Sequence, residues 1–219
     1  MRKWFILCIN VFFLFPIFSD NWDKAIHIGL SVPVSNVSVS WDDFGDLPII
    51  DSDLDGTGID FNFQLRGVSS SNIALMLDYN LGFSKINFTE ADYHYSLKGL
   101  SETVLFGIGY RVFHNKRFEA IISAVQGLST FLVFGSKTID NYDIDFRFIM
   151  NNFNFGGDIY FSFAFSEKFQ LYFSGMTLIT LAGTASMKAS IENLSTTLIG
   201  NPETGGISFI PHVGLVLRI

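Results

Sequence analysis

Residues 153–165 read Phe-Asn-Phe-Gly-Gly-Asp-Ile-Tyr-Phe-Ser-Phe-Ala-Phe, and this stretch decides the fold. Phe153, Phe155, Ile159, Phe161, Phe163 and Phe165 fall on one parity, and Asn154, Gly156, Asp158, Tyr160, Ser162 and Ala164 fall on the other. Successive side chains of a strand point to opposite faces, so the segment is a strand with one strongly apolar and one small, polar face. A helix of the same composition would mix Phe with Asn and Asp around its circumference.

The same alternation extends in both directions. Apolar residues recur on every second position over 26–34, 59–66, 73–84, 103–112, 118–129, 169–181 and 207–219. The run 118–129 is the least regular, because Ile121 and Val125 also make its second face apolar, and a phase slip near Ile86 suggests a bulge. Eight amphipathic runs of about ten residues match the ~9–11 tilted residues of a membrane-spanning strand. Short connections at 69–72, 114–117 and 166–168 alternate with long ones at 42–58, 89–98, 135–151 and 183–205. Strict alternation of short and long links, beginning with a long one, predicts an all-β, eight-stranded, antiparallel up-and-down transmembrane β-barrel. Its short turns and both termini would then face the periplasm.

Composition agrees with a chain immersed in lipid. Of 219 residues, 48% are hydrophobic and 25 are Phe, only 16% are charged, and the formal net charge is -7. An acidic chain of this kind is no nucleic-acid binder, it is too apolar to be disordered, and one Cys builds no disulfide scaffold. The helix-length apolar run is confined to the start, where Arg2 and Lys3 precede a run from Trp4 to Phe18 and Ser19 is followed by Asp20. Basic, apolar and small-residue regions in that order predict a signal peptide over 1–19, with Cys8 an ordinary member of its apolar region, and a barrel over 20–219.

A soluble barrel would also alternate, but its polar face would be dense in Lys and Glu. Here the polar parity is mostly Gly, Ser, Thr, Asn, Gln and Ala, which suits a narrow interior, and Glu102 is the charge that interrupts the apolar face. Tyr110, Phe113, Phe118, Phe165 and Phe169 cluster beside short turns, where an aromatic girdle is expected. The whole mature chain resembles the small eight-stranded outer-membrane proteins, the group of OmpX, the OmpA barrel and OmpW. Its last strand, from Ile207 to Ile219, is similar to their C-terminal insertion signal but ends in Ile instead of an aromatic residue. The stretch from Ile28-Gly29-Leu30 to Val32-Pro33 is similar to the first strand of OmpW-like proteins.

The inward parity carries the candidate functional residues. Arg111 and Glu119 face each other across one short turn, and His27, Arg66 and Arg218 belong at the same level. Asp60, Asp78 and Asp158 lie farther along the lumen, within reach of long Arg side chains, and His212 also points inward. These residues either line a polar path or fill the barrel as a salt-bridge network, since eight strands leave room for little more than side chains. The resemblance to OmpW implies a narrow channel for small, including hydrophobic, solutes. The alternative is a surface adhesin or structural barrel whose acidic loops bind extracellular ligands. Asp51, Asp53 and Asp55 before Gly56 resemble the opening of a calcium loop, although Asn62 stands where its bidentate Glu belongs. No hydrolase elbow, phosphate loop or zinc motif is present, so no enzymatic role and no cofactor other than Ca²⁺ is expected. The expected surroundings are outer-membrane lipid, the barrel-assembly machinery that inserts such proteins, and small solutes or extracellular ligands, with the chain a monomer.

Overall fold

The structure is a computed structural model and describes residues 22–40, 52–90, 93–139, 142–191, 194–200 and 203–219. The expected signal peptide over 1–19, with Cys8, lies outside these residues, as do Asp42, Asp43, Asp46 and Asp51. The described chain forms β1 (Trp22–Ser31), β2 (Val34–Ser40), β3 (Ser52–Ser69), β4 (Ile73–Glu90) and β5 (Tyr93–His114). These are followed by β6 (Phe118–Ile139), β7 (Tyr142–Ala164), β8 (Phe169–Ile191), β9 (Leu194–Gly200) and β10 (Glu203–Arg218). β1 and β2 lie end to end between β3 and β10 and act as one wall strand, while β9 folds back on the end of β8. The wall is therefore an antiparallel barrel of eight strands, closed where β1 meets β10, with Ile28 opposite Leu215 and Leu30 opposite Val213.

Proline explains the break between β1 and β2. Pro33 has no N–H to give to the ladder, and Pro211 on β10 stands beside the gap, where its carbonyl accepts from the Val32 amide at 3.3 Å. Polar side chains close the three tight turns. Asn72, at φ 65°, takes the left-handed conformation that Asn tolerates, and its amide donates to Ser69 O at 3.0 Å. Asn115 Oδ1 accepts from the amides of Arg117 and Phe118, each at 2.8 Å, and Ser166 Oγ accepts from the Phe169 amide at 3.1 Å.

Alternation sorts the side chains as the sequence suggests. Phe61, Phe83, Ile108, Ile122, Phe161, Phe173 and Leu215 stand exposed on the outer face, while Asn62, Gln64, Asp78, Asn80 and Asp158 are buried within. This is a soluble barrel turned inside out, and a membrane lipid environment is what such a surface requires. The girdle residues Tyr110, Phe113, Phe118, Phe165 and Phe169 are all exposed near the tight turns. Glu102 is on the outer face, where Tyr79 Oη donates to it at 3.2 Å.

Three expectations are corrected. Within 89–98 and 135–151 the described residues, 89–90, 93–98, 135–139 and 142–151, are not loops but the paired ends of long strands, running to Glu90↔Tyr93 and Ile139↔Tyr142. The segment 183–205 is mostly strand as well. The ladders on both sides of Ile86 run without a register shift; the irregularities fall instead between Arg111 and Phe113 and between Phe153 and Asn154. At the uncertain fifth run Ile122 and Leu128 face out, and Ile121 and Val125 are buried inside. Strands β5 and β6 have 22 residues each. At ~3.3 Å per residue and a tilt of about 40°, such a strand rises roughly 55 Å, about twice the ~25 Å apolar band of this fold class. The walls thus project far beyond the lipid at the hairpin end.

Candidate functional site

The lumen is best followed from the tight-turn end. Here Glu119 on β6 meets groups from two other strand ends: Arg111 Nη1 at 3.3 Å and His114 Nδ1 at 3.9 Å from β5, and Arg218 Nη2 at 3.5 Å from β10. Arg111 also contacts Asp23 at 3.1 Å and donates from Nε to Asn72 Oδ1 at 3.0 Å, which ties the hub to the first turn. The Arg111–Glu119 pairing across the hairpin is the arrangement expected from sequence, and Arg218 reaches the same carboxylate because β10 ends at this level.

Above the hub the interior is filled. Arg66 Nη2 and Asp158 Oδ2 form an ion pair at 2.9 Å, with side chains 2% and 0% exposed, so both charges are out of water. The Arg66 guanidinium lies 4.0 Å from the Tyr160 ring centroid, a cation–π contact, and its Nε donates to Gln64 Oε1 at 3.2 Å. His27 sits edge-on to Tyr160 and Tyr172, and its Nε2 is 2.9 Å from Tyr160 Oη. Tyr172 Oη donates to Asn62 Oδ1 at 2.6 Å.

A carboxylate organises the next layer. Asp78 accepts from Gln64 at 2.8 Å, from Asn62 at 3.0 Å and also from Asn80. His212 joins through Nε2 to Asn80 Oδ1 at 3.2 Å and through Nδ1 to Ser174 Oγ at 3.1 Å. Met76, Leu105, Val125, Met176, Leu178 and Ile210 form a buried apolar cluster that fills the rest of this cross-section. Glycine makes room for it, since a Cβ at Gly107 would stand 2.7 Å from Met76 Cγ.

Two recesses enter the lumen from opposite ends. The one at the tight-turn end has a volume of about 280 Å³ including its open mouth and is bordered by His27, Arg66, Glu119 and Arg218. The other, at the hairpin end, has a volume of about 520 Å³ including its open mouth, and its wall includes Asp60, Ser84, Thr103, Asn152 and Thr180. The plug lies between them.

Of the residues expected from sequence, His27, Arg66, Asp78, Asp158 and His212 are gathered in the plug, and Arg111, Glu119 and Arg218 form the hub beneath it. Sequence reasoning did not foresee the parts of Tyr160, Tyr172, Asn62, Gln64 and Asn80, although each occupies the polar parity of its strand. The calcium-loop reading meets a different geometry. Asp53, Asp55 and Gly56 belong to the extended ladder of β3, with Gly56 opposite Ser35 and Ile86, and Asp55 Oδ1 accepts from Asn36 Nδ2 at 2.8 Å. The sharp turn that such a loop makes at its Gly is replaced by strand.

No protein-family model matches the chain, and no curated protein matches its sequence. Solved structures do match its fold. The outer membrane protein OprG from Pseudomonas aeruginosa is 12% identical with a TM-score of 0.58, the match covering 90% of this chain and 95% of that one. A major outer membrane protein from Thermus thermophilus is 10% identical with a TM-score of 0.58, the match covering 88% of this chain and 99% of that one. With its closed eight-stranded wall, apolar skin and polar filling, the chain has the fold of the small outer-membrane β-barrels.

Proposed function

We propose that the protein is exported, inserted by the barrel-assembly machinery into a bacterial outer membrane as a monomer, and works there as a conduit shut at rest, receiving small solutes at its outer end. The tight turns and termini face the periplasm, as in other barrels with an even strand count. The observation that carries this reading is the plug. An open pore needs water along its axis, but at mid-height Arg66 and Asp158 are paired with each other, Asp78 is held by three side-chain amides, and all three are sealed from solvent. A solute passes only if the Arg66–Asp158 pair and the two tyrosines beside it move aside.

Planar-bilayer recording of the refolded protein tests this. The wild type is expected to show no steady conductance, and Tyr160→Ala combined with Tyr172→Ala to open one. Steady ohmic conductance from the wild type would remove the reading. The projecting walls favour a second role, contact with extracellular ligands. Shortening the β8–β9 hairpin would then abolish binding to cells or matrix while leaving the heat-dependent gel mobility of the barrel intact.

A further inference from the structure

Asp60 gives the outer recess a chemical character. It is the charged residue among the described residues that line this recess, and its carboxylate accepts from Ser101 Oγ at 3.2 Å. Among the described residues no Arg, Lys or His stands within ion-pair distance of it, in contrast to Asp158 and Glu119. Gly82 accommodates the group, since a Cβ there would collide with the Asp60 carboxylate.

A second observation points to a ligand. Asn152 lines the recess and is 1% exposed, yet neither its amide nitrogen nor its oxygen has a hydrogen-bond partner. Ser84 Oγ on the same wall is likewise buried without a partner. Neighbouring Asn154 is different: it donates to Ser129 at 2.8 Å and accepts from Thr180 at 3.0 Å. Buried amides are nearly always satisfied, so an idle one facing a recess is a group waiting for an occupant.

We propose that the outer recess binds a small organic cation, with its ammonium group on the Asp60 carboxylate and nearby hydroxyl oxygens, and its carbon body against Leu178 and Ile210. This deepens the reading that solutes enter at the outer end. An ammonium has three N–H donors and no acceptor, and the wall around Asp60 offers oxygen acceptors from Ser and Thr side chains. A carboxylate withdrawn from water is tolerated when a cation pairs with it. A calcium ion fits less well, because it takes about 6–8 oxygens, commonly from several carboxylates, and this recess supplies one such group.

The test uses the full refolded chain in detergent micelles, following the side-chain amide resonances of Asn152 and Asn154. n-Butylamine is titrated against n-butanol, its neutral counterpart, with CaCl₂ as a third arm. The amine is expected to bind saturably and about tenfold more tightly than the alcohol, as one charge-assisted contact implies. Asp60→Asn should erase that preference while keeping heat-dependent gel mobility, and Asp60→Ser replaces it if it does not fold. Equal binding of amine and alcohol, a preference that survives at position 60, or Ca²⁺ displacing the amine at lower concentration would each overturn the proposal. Conductance plays no part in this readout. A conducting barrel that prefers the amine sinks the shut conduit alone, and a silent barrel indifferent to charge sinks the cation site alone.

Discussion

Replacing Arg66 by Met puts the plug to its most demanding test. The guanidinium is 2% exposed, touches Asp158 at 2.9 Å and covers Tyr160 at 4.0 Å. At that separation and an effective dielectric near 20 the gross attraction is roughly 6 kcal/mol, much of it offset by the cost of drying two charges. Removing the cation alone leaves Asp158 buried without its partner, for which about 3–5 kcal/mol of lost stability is expected. The loss should sit at the upper end, because Asp78 is linked to Arg66 through Gln64 and a second carboxylate then shares the interior with Asp158. Asp158→Asn is milder, about 1.5–3 kcal/mol, since an amide oxygen still accepts from Arg66. The double variant Arg66→Met with Asp158→Leu should regain at least half of the loss, as well-packed apolar replacements of buried ion pairs do. Guanidinium unfolding of the refolded proteins in detergent, followed by circular dichroism, measures all three. If Arg66→Met stays within about 1 kcal/mol of the wild type, or the double variant is no better than the single, the pair does not hold the plug and the reasoning fails.

Other outcomes follow from the wall and the hub. Ile159→Lys places a cation on the apolar skin and should cost about 2–4 kcal/mol in lipid vesicles, whereas Glu102→Gln, at a position that already carries a charge, should change stability by well under 1 kcal/mol. Gly214→Val should block barrel closure, because a Cβ there meets Gly29 Cα at 2.5 Å across the β1–β10 seam; the compact, fast-migrating form on unheated gels should disappear. Glu119→Gln removes the shared partner of Arg111 and Arg218 and should cost about 1.5–3 kcal/mol, with the loss shrinking in high salt; an unchanged unfolding midpoint would show that the hub is ornamental.

How much was legible depended on whether lipid was present to enforce a pattern. Over 153–165 every second residue had to be apolar to face hydrocarbon, so both the strand and its facing could be read directly. The opposite parity carried Tyr160, Tyr172, Met76 and Met176 inward. Past the lipid edge both faces of the wall meet water, alternation lapses, and segments such as 135–139 read as loop although they are paired strand. Asp53 and Asp55 show a related ambiguity: alternate carboxylates suit a calcium loop, but they also satisfy the period of a strand, and both lie in the β3 ladder. Arg111 and Glu119 could be paired because one short turn brings them together. The Arg66–Asp158 pair is 92 residues apart and crosses the lumen, so it depends on strand stagger around the whole circumference, which no local pattern encodes.

The height of the recess carries a consequence for energetics. Asp60 is opposite Gly82 and Gly82 is opposite Ser101, and on the outer face beside them Ile59, Phe61 and Phe83 are exposed and apolar. On the proposed reading, a solute seated beside Asp60 is already inside the apolar skin but has not yet met the plug. It also stands above the plug, on the outer side of the electrical barrier. On the proposed reading its occupancy should follow the ionic composition on the open side of the recess, so the barrel samples that side before anything is committed to crossing.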